Sequence, residues 1–314
     1  MKTLVLPFKK LNKNSVKQAG GKGANLGEML RAKIPVPPGF VLLSEAFEQY
    51  LKEEDINVEI EAHLDKVNPK DINSVDRASH EIREIIRLSA MPADSQKAIR
   101  EEYKRLAADW VAVRSSATAE DSKVASWAGE LETYLYVNQA KLIEMVKTCW
   151  SSLFTPRAIF YRFEKKLHKQ KVSVAVVIQK MIDSEVSGVA FTVHPVTKDR
   201  RQMVIEAGWG QGEAIVSGQI TPDTYIIDKS NNHIIDKNIS IQKNMIIQKP
   251  SGGSKTIKVP KTKASLQKIS DKNILALAKL CQSIEKHYRH PQDIEWARSE
   301  GRWYVLQTRP ITTL

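Results

Sequence analysis

The stretch near the end of the chain constrains the fold more than any other part of the sequence. Two short segments, 291–297 and 305–312, flank the turn-forming residues Ser299-Glu300-Gly301-Arg302. This pattern predicts two β-strands joined in a hairpin centred on Gly301. Because side chains alternate along a strand, residues two apart share a face of the hairpin.

The predicted hairpin brings three polar side chains together. Glu295 would lie directly opposite Gln307, and Arg309, two residues further on, would point to the same face. Carboxylate and amide oxygens beside an arginine suit a magnesium ion and a polyphosphate. The alternative is a surface hairpin with an ordinary ion pair, and these residues alone leave it open.

Length and composition predict a globular protein of about two domains. The chain has 314 residues, of which 42% are hydrophobic. Its longest apolar runs are too short to cross a bilayer, and the N-terminus lacks the apolar core of a secretory signal, so a cytoplasmic location without membrane contact is expected. Extended segments become more frequent in the second half, and the predicted boundary separates 1–195 from 196–314.

The net charge of +12 predicts attraction to anions. Nine lysines lie between Lys237 and Lys272, with no aromatic side chains among them to stack on bases. This pattern favours a solvated lysine face, and no nucleic-acid partner is expected.

A glycine-rich segment at 20–28 is a candidate anion site. It is not a P-loop, because Lys22 is followed by Gly23 rather than by serine or threonine, and its spacing also differs from the dinucleotide fingerprint. What remains is a glycine turn that places a cation at a helix N-terminus, where amides and the helix dipole favour anions. A plain connector with an exposed lysine is the alternative.

Two further segments have the composition of phosphate-binding loops. Arg114 ends a short apolar strand, and the hydroxyls of Ser115, Ser116 and Thr118 are expected to add hydrogen-bond donors there. A further glycine cluster occupies 208–213. Each of these segments taken alone is also compatible with simple turn chemistry.

Taken together, the motifs resemble one family in order and in spacing. The chain is similar over essentially its whole length to the ATP-binding domain shared by phosphoenolpyruvate synthase, pyruvate phosphate dikinase and rifampicin phosphotransferase, and most similar to the phosphoenolpyruvate synthase pattern. The segments that carry this resemblance are Gly21-Lys22-Gly23-Ala24-Asn25-Leu26-Gly27-Glu28, Val113-Arg114-Ser115-Ser116-Ala117-Thr118-Ala119-Glu120-Asp121, Ala207-Gly208-Trp209-Gly210-Gln211-Gly212-Glu213, Thr221-Pro222-Asp223, 291–297 and 306–312.

The resemblance implies an α+β fold of the ATP-grasp type, in which two subdomains, 1–195 and 196–314, enclose the nucleotide. It also implies roles for single residues. Magnesium is expected at Glu295 and Gln307. The catalytic groups expected on the phosphates of ATP are Lys22, Arg114 and Arg309. Further contacts to the nucleotide are expected from Gly129 and Thr133 in a loop and from Gln179 beside the adenine.

The family's activity implies a partner domain. The ATP domain passes a phosphoryl group from Mg·ATP to a carrier histidine on a separate swivelling domain, with AMP and phosphate released, and pyruvate or a drug is the final acceptor. None of the seven histidines has the glycine-rich Ser-His setting of that carrier, which is expected in a longer parent chain or in trans. The alternatives are the nucleotide half of a rifampicin-type phosphotransferase and a non-catalytic ATP-binding regulator.

Some positions depart from the family pattern. Trp127 replaces a phenylalanine, and Glu130-Leu131 replaces a glutamine-rich pair beside the expected phosphate loop. A carboxylate at Glu130 would repel the nucleotide if it faces the site, and would have no effect if it turns outward. His194 and Lys198 replace an asparagine and a glycine.

Overall fold

A computed structural model describes residues 3–118, 121–122, 125–126, 132–165, 167 and 173–312. The chain forms two compact units. Unit 1 comprises Met1–Glu28 and Pro38–Met181, and unit 2 comprises Met29–Pro37 and Ile182–Leu314. Each described helix is too short or too polar to span a lipid bilayer.

Unit 1 is built on an antiparallel sheet with the strand order β1-β2-β7-β3-β6. The strands of this sheet are β1 (Val5–Pro7), β2 (Gly39–Leu42), β3 (Val111–Ala117), β6 (Thr133–Val137) and β7 (Val174–Lys180). A separate two-stranded sheet consists of β4 (Asp121–Ser122) and β5 (Ala125–Ser126). The helices of unit 1 are α1 (Val16–Arg31, whose last turn belongs to unit 2), α2 (Ser44–Glu53), α3 (Ile56–Asp65), α4 (Ile72–Leu88), α5 (Ala93–Leu106), α6 (Leu142–Ser151) and α7 (Pro156–Glu164).

The two faces of the unit 1 sheet differ in character. On one face, Val111 and Val113 of β3 join Val176 and Ile178 of β7 in a core cluster with side chains from α4 and α6, including Trp150. Residues of the opposite parity, among them Ala112 and Arg114 of β3, lie on the other face. The core cluster therefore lies on one face of β3, and the polar side chain of Arg114 lies on the other.

Unit 2 has a second antiparallel sheet with the order β11-β10-β9-β8-β14-β15. Its strands are β8 (Val186–Phe191), β9 (Gln202–Trp209), β10 (Asp223–Asp228), β11 (His233–Asn238), β14 (Gln292–Ser299) and β15 (Arg302–Pro310), with a separate hairpin of β12 (Asn244–Gln248) and β13 (Ser254–Lys258). The helices are α8 (Glu213–Val216), α9 (Lys261–Ala264) and α10 (Asp271–Tyr288).

The core of unit 2 lies on one face of its sheet. Ile205, Tyr225 and Ile294 share that face and are fully buried. Helix α10 contacts β9, β10, β11 and β14 and buries its own apolar side chains, such as Leu277. The mixture of helices and antiparallel sheets agrees with the predicted α+β class.

The division of the chain differs from the predicted boundary after residue 195. Strand β8 precedes that boundary but pairs with β9 and β14, and the division falls between Met181 and Ile182. Residues 29–37 also belong to unit 2, and the amide of Val305 in β15 donates to the carbonyl of Pro35 over 2.8 Å. Strand pairing thus places β8 in unit 2, and a backbone hydrogen bond links 29–37 to β15.

Candidate functional site

The β14–β15 hairpin has the predicted register. Glu295 pairs with Gln307, and both central turn residues have positive φ, 50° at Glu300 and 74° at Gly301. This is the signature of the tight turn whose twist matches paired strands. The register shifts by one residue between Glu295 and Trp296, which forms a bulge beside the pair.

Arg309 is held by a carboxylate that sequence reasoning missed. Its Nε donates to Oδ2 of Asp293 over 2.7 Å, and the two residues pair across the hairpin on the face of Glu295 and Gln307. Burial raises the pKa of Asp293 above its ordinary value, and Arg309 acts in the opposite direction. Asp293 precedes Glu295 by two residues, and that alternation is the signal that could have revealed it.

A second missed carboxylate lies further along the same face. Glu206 of β9 pairs with Val189 of β8, which in turn pairs with Glu295, so one row crosses four strands and ends at Gln307. Burial raises the pKa of Glu206, and the nearby charge of Asp293 adds to the effect. A single carboxylate within the otherwise apolar run 203–207 was the only sequence signal.

The donor set of this face suits a hard cation that also takes ligands from a phosphate. Among the described residues, no group of three or more His, Cys, Asp or Glu side chains is arranged to hold a metal by itself. Magnesium in nucleotide sites needs no such cage, because one or two protein oxygens and the phosphates complete its shell. The Glu295–Gln307 pair fits that description.

In unit 1 the glycine turn interrupts α1. Gly20 has φ 66° and ψ 172°, outside the helical region, and the helix resumes at Gly21. Lys22 therefore lies in the first turn of this second part, as predicted, and its side chain is half-buried.

Arg114 lies on the polar face of the unit 1 sheet together with two other predicted residues. Thr133 pairs with Arg114 across β6 and β3, and Arg114 pairs with Val177 on β7. Gln179, two residues beyond Val177, shares that face. The structure thus places Arg114, Thr133 and Gln179 on one surface of unit 1.

The glycine turn lies on this surface as well. A Cβ atom at Gly23 would approach the side chain of Val41 to 3.0 Å, and Val41 pairs with Val177 in the row that contains Arg114. The start of the helix that carries Lys22 is therefore packed against the face that carries Arg114.

Gln179 has an unused donor. The residue is buried, and its Nε2 has no hydrogen-bond partner within the described part of the chain. A buried amide without an acceptor costs free energy, so this donor would gain from an acceptor on a bound ligand. The predicted contact with a nucleotide base fits this observation.

The hydroxyls near Arg114 do not act as predicted. Ser115 donates to the carbonyl of Glu132 over 3.0 Å, Ser116 to that of Ala19 over 3.0 Å, and Thr118 to that of Ser173 over 3.1 Å. Each hydroxyl hydrogen already has an acceptor in the backbone of unit 1, so the expectation that these groups supply donors to a ligand is wrong. Gly129, Trp127 and Glu130 lie outside the described residues.

Two other segments of the family motifs, 207–213 and 221–223, contribute to the packing of unit 2. A Cβ atom at Gly210, where φ is 83°, would meet the carbonyl oxygen of Ile246 in β12 at 2.6 Å. The side chain of Gln242 bonds to both the amide and the carbonyl of Trp209. The close approach of the β12 segment accounts for the glycine, and no ligand is needed to explain it.

Asp223, from the motif Thr221-Pro222-Asp223, is fully buried. It pairs with Lys268 Nζ over 2.8 Å, with neither side chain exposed, and accepts the hydroxyl of Tyr225 over 2.8 Å. Burial, with a contribution from this hydrogen bond, raises the pKa of Tyr225 above its usual range. The motif therefore ties the segment around Lys268 to β10.

Comparison with known families assigns the chain to a class of nucleotide-binding domains. A family model described as pyruvate phosphate dikinase, AMP/ATP-binding domain, matches residues 16–314, and the chain belongs to this family. The resemblance inferred from the sequence motifs is thereby confirmed.

Individual relatives are similar to the chain over almost its whole length. The chain is 44% identical to a "Probable phosphoenolpyruvate synthase" of Methanocaldococcus jannaschii, covering 97% of this chain and 26% of that protein. A protein of the same name from Archaeoglobus fulgidus is 46% identical, over 99% of this chain and 42% of its own length. A rifampicin phosphotransferase of Bacillus subtilis is 35% identical, over 100% of this chain and 36% of its own length. The chain thus spans less than half of the length of each of these relatives.

Proposed function

We propose that this chain is the Mg·ATP-binding phosphotransferase domain of a phosphoenolpyruvate synthase (pyruvate, water dikinase) and has an ATP-grasp fold. The observation that carries the proposal is the pairing of Glu295 with Gln307, with Arg309 on the same face and bonded to Asp293. Two relatives named as probable phosphoenolpyruvate synthases align with almost the whole chain.

The residues of unit 2 would act on the metal and the phosphates. Glu295 and Gln307 would hold Mg²⁺, which, when bound, neutralises phosphate charge. Arg309, oriented by Asp293, would bind a phosphate oxygen. Carboxyl groups with raised pKa are typical of functional sites, and those of Glu206 and Asp293 support this assignment.

The residues of unit 1 would bind the nucleotide itself. Lys22 and Arg114 would contact phosphates, Thr133 and Gly129 would add contacts there, and the buried Gln179 amide would donate to the adenine. Such a site acts by positioning and by charge stabilisation, because phosphoryl transfer asks little covalent chemistry of the protein.

The complete reaction would need a second domain. A carrier histidine on a swivelling domain, in a longer parent chain or in trans, would take the phosphoryl group, and AMP and phosphate would leave. The named relatives are more than twice as long as the aligned segment, which leaves room for such domains. Pyruvate is the final acceptor that the name of these relatives suggests.

A second candidate is the nucleotide half of a rifampicin-type phosphotransferase. Its support is the 35% identity to the Bacillus subtilis enzyme over the full chain. The two candidates share the ATP chemistry and differ only in the final acceptor.

Calorimetric titration with ATP, with and without Mg²⁺, tests the nucleotide site. We expect magnesium-dependent binding that Lys22→Ala and Glu295→Ala both weaken at least tenfold, since each removes a charged ligand. Lys17→Ala and Glu300→Ala are matched controls, because these exposed residues lie in the same helix and in the same hairpin turn. Equal affinity in all variants would refute the site.

Transfer is tested by adding the carrier domain of the Archaeoglobus fulgidus relative. The proposal predicts AMP release and a phosphorylated histidine. ATP binding without AMP would favour the regulatory module instead. Adding pyruvate or rifampicin together with the rest of the corresponding relative then identifies the acceptor.

A further inference from the structure

We propose that Ser116 is the positioning residue for Lys22, because it acts as an N-cap supplied from strand β3 to the helix that carries this lysine. The inference rests on the proposed function for its link to ATP, and on unit 1 alone for its geometry. Ser116 is fully buried and lies far from the glycine turn in sequence.

The start of the helix has no cap of its own. Gly20 occupies the N-cap position of the helical stretch that resumes at Gly21, and it has no side chain to accept from the first-turn amides. Oγ of Ser116 takes that place. It accepts from the amide of Gly23, the third helical residue, over 3.4 Å, and donates to the carbonyl of Ala19 over 3.0 Å.

This contact requires a glycine at position 20. A Cβ atom there would lie 2.2 Å from Oγ of Ser116 and 2.3 Å from its carbonyl oxygen, closer than any real contact. The φ of 66° independently disfavours other residues. The glycine turn is therefore shaped to let β3 reach the helix, which explains Gly20 without a ligand touching it.

The same strand carries Arg114. Residues 114 and 116 of β3 are two apart and so lie on one face of the sheet, the face against which Gly23 packs. Strand β3 thus contains Arg114 and, through Ser116, also positions the first turn of the helix that carries Lys22. Two cations expected on the phosphates are preorganised by a single rigid element, which lowers the entropy cost of binding.

The test compares Ser116→Ala with Ser115→Ala. Both remove one buried hydroxyl from adjacent positions of β3, but Ser115 faces the other side, and its amide keeps a bond to the Glu132 carbonyl in the variant. Binding of Mg·ATP and of adenosine, which lacks phosphates, is measured for both variants. Hydrogen–deuterium exchange of residues 21–27 is followed in ligand-free protein.

We expect Ser116→Ala to speed exchange in 21–27 and to weaken ATP binding about fivefold, because losing one cap shifts the equilibrium that forms the helix start by about that factor. Adenosine affinity should be unchanged, which a general loss of structure would not produce. Ser115→Ala should alter none of these quantities. Gly20→Ala, which displaces Ser116 without removing its hydroxyl, should reproduce the Ser116→Ala result.

Equal ATP affinity in the two serine variants would overturn the inference, as would an equal loss of ATP and adenosine affinity in Ser116→Ala. If the unmodified protein binds no ATP, the proposed function fails separately. The exchange measurement needs no nucleotide, and unchanged exchange in Ser116→Ala would then refute the capping role itself.

Discussion

His194 and Lys198, which the resemblance sets against an asparagine and a glycine, each adopt a local structure typical of those residues. Nδ1 of His194 accepts from the amides of Val196 and Thr197 over 3.3 and 3.2 Å, which is the hydrogen bonding of an asparagine turn. Lys198 adopts φ 60°, in the left-handed region that glycine occupies without strain.

The strain at Lys198 leads to a stability prediction. Lys198→Gly should raise the free energy of unfolding by about 0.5 kcal/mol, because relief of the left-handed penalty exceeds the entropy that glycine adds to the unfolded chain. Urea denaturation measures the difference. Lys249→Gly, at an exposed loop lysine outside the left-handed region, should lower stability instead. A loss of stability in both variants would contradict the explanation.

At the scale of elements, the buried Asp223–Lys268 pair ties the segment that follows β13 to strand β10. Besides the ion pair, Asp223 accepts the amides of Ser240 over 3.0 Å and of Lys268 over 2.9 Å, and Lys268 Nζ donates to the Ser240 carbonyl over 2.5 Å. Every polar group that the pair brings into the core thus has a partner, which buried charges require.

Breaking this pair should therefore be costly. Lys268→Met should lower the free energy of unfolding by about 3–5 kcal/mol, because it leaves the Asp223 carboxylate buried without its counter-charge. Urea denaturation followed by tryptophan fluorescence measures the loss. The matched control is Lys237→Met, which breaks the exposed Lys237–Asp271 pair of 3.0 Å and should cost less than about 1 kcal/mol. Similar losses in both variants would show that burial is not the cause.

Glu206, in the row that runs across the unit 2 sheet to Gln307, predicts that the stability of the protein depends on pH. Because burial raises the pKa of Glu206, the folded state holds its proton more tightly than the unfolded state, and stability falls as pH rises from the ordinary Glu value through the raised one. Glu206→Gln removes this loss. The variant should be more stable than the parent at pH 7 and equal to it near pH 3, and chemical denaturation at both pH values checks this. Glu300→Gln, at an exposed residue, is the control.

At the scale of the whole molecule, the chain passes between the two units three times, at 28/29, 37/38 and 181/182. Segment 29–37 belongs to unit 2 although unit 1 residues flank it on both sides. Its Pro35 accepts a hydrogen bond from edge strand β15, and Ile34 and Val36 are buried. An edge strand covered in this way is protected from other chains.

This topology predicts how fragments behave. Residues 182–314 alone should be less stable, by about 2 kcal/mol, than the same residues preceded by 29–37 through a Gly-Ser linker, because the segment buries apolar side chains. Urea denaturation of the two proteins gives the difference. A scrambled 29–37 segment on the same linker controls for added length. No gain over the scrambled segment would mean that the segment contributes nothing to unit 2.

Local chemistry explains which parts of the fold were predictable. The β14–β15 hairpin and the pairing of Glu295 with Gln307 follow from a turn and an alternation within 22 residues, 291–312, and the helix start at the glycine turn follows equally from nearby residues. The observed division at 181/182 was not predictable, because the pairing of β8 with β14 joins segments about a hundred residues apart.

The difference between local and long-range contacts also separates the site residues that were predicted from those that were missed. Motif order and strand alternation are local properties, and they were enough to predict the family, the hairpin register and the positions of Lys22, Arg114, Gln307 and Arg309 on their elements. The same alternation could have revealed Asp293 beside Arg309. The folded structure was needed to show that Glu206 joins the row of Glu295 and that the Ser116 hydroxyl caps the helix of Lys22. These contacts depend on strand order and close packing, which arise when distant segments bury their apolar faces together.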